Sequence, residues 1–347
     1  MKTALTYMAA TVFLLAAAGC SENPGGGELS GDGTVELSMD IAATRSGSGD
    51  EVPDKEKIYT LRVIIFGQDG DVEYNGLVYD STEGVSEVSS RTFKVRENES
   101  KTIFLLANVE DLDGLALDDP DGLRDRIENY EGITPEYLQS AESLPMSSSY
   151  SYTVRDVNVD CGTLYVAAAA VKFTFTFENN MATGLTLGIS GITVNQVASF
   201  SWLYPHGVDT RWLTSLVDKE IITDYTIPSD AVHSPYEATF DRVTVASGAS
   251  VTLPPFYLTE SRNEISGVQE YSVSLKIGTG DSGDGDLFRD AGLTNGDGPL
   301  NSLFRCTHVD VHVNVKSLEQ IEIYDGIYGM INPWEELPPV SGSITEL

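Results

Sequence analysis

The stretch Val171-Lys172-Phe173-Thr174-Phe175-Thr176-Phe177 alternates apolar and polar residues without a break. Side chains return to the same face every second residue only in a β-strand, so this stretch must fold with one face buried. The same period runs through Val35-Glu36-Leu37-Ser38-Met39-Asp40-Ile41 and through His308-Val309-Asp310-Val311-His312-Val313. Residues 59–66, 92–95, 102–107, 150–159, 164–177, 185–197, 243–251, 270–277 and 320–324 read as further strands between Gly, Asn and Asp turns, of which Gly67-Gln68-Asp69-Gly70 is one. Only Asp121–Tyr130 has helical spacing, with Leu123 and Ile127 four apart behind Asp119-Pro120. Strands do not alternate with helices, which sets aside a doubly wound α/β enzyme fold. The expected fold is all-β, with two β-sandwich domains and at most one or two short helices. A chain of 347 residues, 41% of them apolar, has the material for two cores rather than one.

The first residues are of another kind. Lys2 precedes a nearly continuous apolar run, Ala4 to Ala18, that is too short for a comfortable membrane span and ends in small residues. Ala17-Ala18-Gly19-Cys20-Ser21 follows and resembles a lipobox, in which the cysteine is diacylated before the leader is cut. Residues 1–19 are then a lipoprotein signal peptide and Cys20 the lipidation site. At about 0.8 kcal/mol per buried methylene, two or three acyl chains hold a protein on a membrane. The other reading is a plain secretory leader cut near Gly19. Ser21-Glu22-Asn23-Pro24-Gly25-Gly26-Gly27 is a polar tether.

Behind the tether, Val35, Leu37, Met39 and Ile41 define a strand with one apolar face. Ala43-Thr44-Arg45 leads from it into Ser46-Gly47-Ser48-Gly49-Asp50-Glu51, a loop by composition. Arg45 in such a segment is a target for a trypsin-like protease. An ordinary first strand followed by an ordinary loop is the alternative.

Charge and motifs exclude more than they assign. The chain carries 21 basic and 53 acidic residues, a net charge of −32, and repels phosphate backbones, so no nucleic-acid partner is expected. Cys161 and Cys306 lie far apart in sequence and are either lone buried thiols or a disulfide pair. His308, Asp310 and His312 share one strand face, which reads as a solvated face before it reads as a metal cluster. Asp281–Asp286 lacks the EF-hand glycine and closing Glu and reads as a surface loop. No GxSxG, Walker loop or dinucleotide fingerprint occurs. No metal, cofactor or catalytic residue is expected, and the protein is not expected to be an enzyme.

Several motifs, in order, resemble the FimA/Mfa-type fimbrillins, the type V pilins of Bacteroidales. They begin with the lipobox-like Cys20 and the strand that ends in Ala43-Thr44-Arg45. Leu61–Phe66 resembles the family's first mature strand, Ile103-Phe104-Leu105-Leu106-Ala107-Asn108 its "vyvvaN" strand, and Leu144-Pro145-Met146-Ser147 its "ipMs" turn. Ala170-Val171-Lys172-Phe173 resembles the strand that opens the second domain, although the family's usual Arg is missing from Ala167–Ala170. Phe304-Arg305-Cys306-Thr307-His308 resembles "RNthY", with Cys306 where Asn is usual, and Ile331-Asn332-Pro333-Trp334 resembles the terminal "v-x-PW".

The resemblance implies two transthyretin-like sandwich domains, 46–162 and 163–334. Residues 20–45 would be a propeptide whose strand is removable. It implies a precursor carried to the outer membrane by its lipid and cut between Arg45 and Ser46 by an Arg-specific, trypsin-like protease. Loss of the 35–42 strand would open an apolar groove, which an extended segment of another fimbrial subunit would fill by donor-strand exchange. The donor would be the tail 335–347, where Val340 and Ile344 share a strand face behind Pro338-Pro339; a frayed terminus is the alternative. Head-to-tail contacts of this kind do not close and build a fibre, homopolymeric or mixed. The implied function is a shaft or tip fimbrial subunit supporting adhesion. The alternatives are an uncleaved, lipid-attached anchor subunit of the same family and a surface glycan-binding lipoprotein that uses Trp202, Tyr204 and Trp212.

Overall fold

The computed structural model describes residues 33–44, 52–209, 212–213, 222, 224–238, 240–262, 271–283, 285–293, 300–319 and 321–329. The amino-terminal half contains β1 (Thr34–Ala43), β2 (Ile58–Phe66), β3 (Val72–Val85), β4 (Glu87–Arg96), β5 (Glu99–Ala107), β6 (Met146–Val154) and β7 (Val159–Ala168). They are hydrogen-bonded in the order β3-β2-β5-β6-β7-β1-β4. β6 meets β7 only at Met146↔Ala168 and Ser147↔Ala167, so the path turns a corner there. Layer β3-β2-β5-β6 faces layer β7-β1-β4 across a shared core of Leu37, Ile41, Val63, Ile65, Leu105 and Val166. This is a sandwich whose layers touch at one edge.

Asn108 closes the end of β5. Its backbone is in the left-handed region, φ 57°, which Asn tolerates better than most residues. Its side chain accepts from the amides of Tyr59 (2.8 Å) and Thr60 (3.2 Å) and donates to the carbonyls of Lys57 (2.8 Å) and Leu144 (3.0 Å). One amide group thus satisfies four main-chain groups on two segments, 57–60 and Leu144.

The second half contains β8 (Val171–Asn179), β9 (Leu187–Ala198), β10 (His233–Ala238), β11 (Val243–Val245), β12 (Ser250–Thr252), β13 (Phe256–Leu258), β14 (Ser261–Arg262), β15 (Ser272–Thr279), β16 (Leu287–Gly292), β17 (Ser302–Leu303), β18 (Thr307–Val315) and β19 (Ile321–Gly329). One layer runs β12-β8-β18-β19, the other β10-β9-β15-β16. Phe173, Phe175 and Phe177 on β8 and Val309, Val311 and Val313 on β18 bury their faces against Ile189, Ile192, Val273, Leu275 and Ile277. Phe173 and Phe256 stack with ring centroids 5.6 Å apart. The alternating stretches fold as their period demands, and the fold is all-β with two sandwiches. Two short α-helices lie wholly among the described residues, α1 (Leu123–Glu128) and α2 (Pro135–Ser140).

Some expected strands come out differently. Residues 164–177 are two strands, because Leu164, Val166 and Ala168 point inward on even positions and Val171, Phe173 and Phe175 on odd ones. The phase slips at Ala169-Ala170, where the chain bends and passes from the first core to the second. Residues 155–158 form a turn between β6 and β7 rather than the end of a strand. Residues 243–251 break at Gly248, φ 77°. β3, β10, β16 and α2 have no counterpart in the period count. β3 is half-exposed and carries Asn75, Gly76, Asp80 and Gly84, so its alternation is diluted. α2 is six residues behind the capping side chain of Thr134.

Candidate functional site

β1 is the middle strand of its layer. It pairs antiparallel with β4, from Thr34↔Arg96 to Ala42↔Glu87, and parallel with β7, from Leu37↔Val159 to Ala43↔Val166. Val35, Leu37, Met39, Ile41 and Ala43 are 7%, 0%, 2%, 0% and 0% exposed. Burying the first four stabilises the fold by roughly 6–12 kcal/mol in total, at 1.5–3 kcal/mol per side chain against an extended reference. A domain's whole stability is about 5–15 kcal/mol. The strand predicted from Val35, Leu37, Met39 and Ile41 is therefore an element on which the first sandwich depends.

The two ends of β1 are held differently. Residues 34–36 have a main-chain partner on the β4 side only. On the other side, the Glu36 amide donates to the Asn158 side chain at 2.9 Å, in an exposed place. In the middle, Asp40 accepts from the amide of Ser90 at 2.7 Å, where β4 bulges and Ser90 has φ 54°. At the far end Ala43 donates to Ser86 O and Thr44 to Val166 O, both at 2.9 Å. Thr44 is buried, and its hydroxyl lies 3.6 Å from the Cys306 sulfur. Arg45 and Ser46, the predicted cleavage pair, come next and lie outside the described residues, as do Cys20, Val340 and Ile344.

Cys306 belongs to a polar junction between the two halves. Its backbone is left-handed, φ 59°, a conformation that the family's usual Asn at this place adopts more readily than most residues. Its thiol donates to Ala168 O at 3.4 Å, and burial pushes it up to about 11. The neighbouring Arg305 is 0% exposed and forms a bidentate pair with the buried carboxylate of Glu260. It also donates to the carbonyls of Trp202 (2.8 Å) and Leu203. Ser147 on β6 donates to the same Leu203 carbonyl at 2.6 Å. A second buried pair ties the chain just past the predicted cut to the second sandwich. Glu56 accepts from Lys172 (2.8 Å) and from the Tyr257 hydroxyl (2.7 Å). Nothing local in the sequence marks these pairs, because partners are 45 to 201 positions apart.

Other predicted features resolve as follows. Cys161 and Cys306 are both free thiols, Cys161 half-buried on β7 and Cys306 at the junction. Among the described residues no group of three potential metal ligands occurs. The His308-Asp310-His312 face is a hydrogen-bonded ladder, buried at His308 and part-exposed at Asp310 and His312. The Thr174 hydroxyl bonds His308 Nε2 (2.6 Å) and donates to Asp310 (2.8 Å), and His312 lies 3.0 Å from the other Asp310 oxygen. β8 lies parallel beside β18 and brings Lys172 to His308. In the Asp281–Asp286 loop, Asp286 is held by Arg242 at 2.5 Å and by Ser190, so this carboxylate is internal, while Asp284 lies outside the described residues. Trp202, Tyr204 and Trp212 do not make one exposed platform. Trp212 is 3% exposed against Phe304, and Tyr204 packs on Phe104 with its hydroxyl on Ser149. Trp202 stacks on His206 and donates to Glu131.

His308 makes a pH prediction. Burial, and then the Lys172 charge, push it down to about 4, against the pull of Asp310. Its folded value is below the ordinary one of about 6.5, so the unfolded chain binds more protons between those values. The contribution is present above pH 6.5 and is lost as pH falls toward 4. His308→Gln is expected to show a smaller fall in Tm between pH 7 and pH 5 than the parent chain. An equal fall would assign the pH dependence to other groups.

Two sandwiches joined by buried ion pairs, the first completed by an amino-terminal strand, define an all-β protein of two sandwiches. Residues 33–186 match the model of the major fimbrial subunit protein (FimA) family. The tip fimbrial protein Mfa3 of Porphyromonas gingivalis, with C-terminal truncation, superposes at TM-score 0.56 with 14% identity, covering 85% of this chain and 99% of that one. A putative cell adhesion protein of Parabacteroides distasonis gives 0.54, 15%, 87% and 99%. The fimbrilin FimA of Porphyromonas gingivalis gives 0.52, 15%, 88% and 99%. No curated protein matches the chain in sequence. Over residues 33–186 the chain is similar to the family of the major fimbrial subunit protein (FimA), and its fold is that of the fimbrial and cell-adhesion proteins above.

Proposed function

We propose that the protein is a shaft or tip subunit of an adhesive fimbria, exported as a lipoprotein on Cys20, cut after Arg45 and polymerised by strand exchange at the β1 position. The observation that carries this is the place of β1. It is the middle strand of a layer, its apolar face fills the first core, and it ends two residues before Arg45. Removing it separates β4 from β7 and leaves both with unpaired edges, which recruit an incoming strand. Period two then sets the register of the replacement. In this reading the cut subunit has two domains, with the boundary expected after residue 162 carried on to Ala169-Ala170 because β7 (Val159–Ala168) packs in the first core, and the tail 335–347 is the donor to the next subunit. The protease and the outer membrane are partners of the precursor only.

Arg45→Ala is expected to leave a lipid-attached monomer in the outer membrane fraction and to abolish fibres. Fibres built from that variant would refute the cleavage step and favour the uncleaved anchor role.

A further inference from the structure

The cut predicted after Arg45 frees the end of β1 that is held most firmly. From Leu37 to Ala43 the strand has main-chain partners on both sides except at the bulge, where Met39 lacks one on β7 and Asp40 one on β4, and Thr44 is buried against the junction. The other end has the opposite character. Residues 34–36 pair on one side, Glu36 is exposed, and the adjoining turn carries Val157 at 59% exposure. That loosely held end is the one that stays continuous with Gly33 and the segment leading back to Cys20. A peptide leaves a sheet from the end where its bonds are fewest and most exposed. A break in the chain at the deep end therefore gives the strand no place to begin fraying.

We propose that cleavage after Arg45 does not release β1, and that the severed peptide stays seated until another strand displaces it, beginning at the Val35 end. The inference rests on the reading of Arg45 as the cleavage site, and it adds the order of events. The lipid on Cys20 belongs to the peptide, not to the body of the subunit. A cut subunit thus remains on the membrane until it is joined to a fibre, and displacement, not proteolysis, is the step that frees it. Thr44 also shields the Cys306 sulfur, so that thiol is uncovered last.

The test uses the purified full precursor, cut with an Arg-specific endoprotease. A denaturing gel shows whether the chain is severed, and gel filtration with mass spectrometry shows where the peptide ending at Arg45 runs. The expected result is a severed chain with the peptide co-eluting. Cys306 should react with a maleimide at least about tenfold more slowly than Cys161. Amide exchange in the severed protein should reach residues 35–36 before residues 41–43. An excess of isotope-labelled peptide of residues 33–45 should replace the bound peptide and raise Cys306 reactivity during the exchange. Immediate loss of the peptide from a severed, still folded body would overturn retention while leaving the cleavage site standing. Earlier exchange at 41–43 than at 35–36 would overturn the order of release. A folded precursor that is not cut between Arg45 and Ser46 would overturn both this inference and the reading beneath it.

Discussion

A chain beginning at Ser46 and refolded alone is expected to lose the cooperative unfolding of its first sandwich. Without Val35, Leu37, Met39 and Ile41 that domain forgoes roughly 6–12 kcal/mol of apolar burial, the size of a domain's whole stability. Main-chain groups of β4 and β7 that pair with β1 would face water or one another. The second sandwich keeps its own core and should unfold separately. Denaturant unfolding followed by amide exchange would show protection in β8, β9, β15 and β18 but not in β2, β4 or β7. Adding a peptide of residues 33–44 should restore protection in the first sandwich. A truncated chain with the stability of the full one would mean that β1 is dispensable, and the strand-exchange reading would lose its physical basis.

Arg305→Met is expected to cost about 3–5 kcal/mol, the usual penalty for removing one member of a buried ion pair. The substitution keeps much of the volume but strands the Glu260 carboxylate, which is 1% exposed. It also removes the donors to the carbonyls of Trp202 and Leu203. The loss should appear as a lower midpoint for both sandwiches, since the network reaches Ser147 on one side and Glu260 on the other. Arg305→Met combined with Glu260→Leu should recover part of it, because no unpaired charge then remains. A single variant within about 1 kcal/mol of the parent would show that the pair contributes little beyond its own desolvation cost.

What the sequence made legible follows the range of the interactions. The burial of β1 was legible because Val35, Leu37, Met39 and Ile41 share a face by period alone. Its position in the middle of a layer was not, because its partners lie some 50 residues away on β4 and 120 on β7. The passage between sandwiches left a trace, the phase slip from Ala168 to Val171, that a count of apolar residues overlooks. The motif around Arg305 was visible as a resemblance, but its task was not. That task needs Glu260, Trp202 and Leu203, which come together only in the fold. The face of the histidine ladder reads as solvated, and His308 on it is nonetheless buried, because alternation tells which residues share a face and not what lies across it.

The amino-terminal sequence of subunits sheared from cells as fibres tests the central claim most directly. The account predicts a chain that begins at Ser46, with the first strand gone from the assembled protein. Fibre subunits that still carry residues 21–45, with Cys20 blocked by lipid, would contradict it.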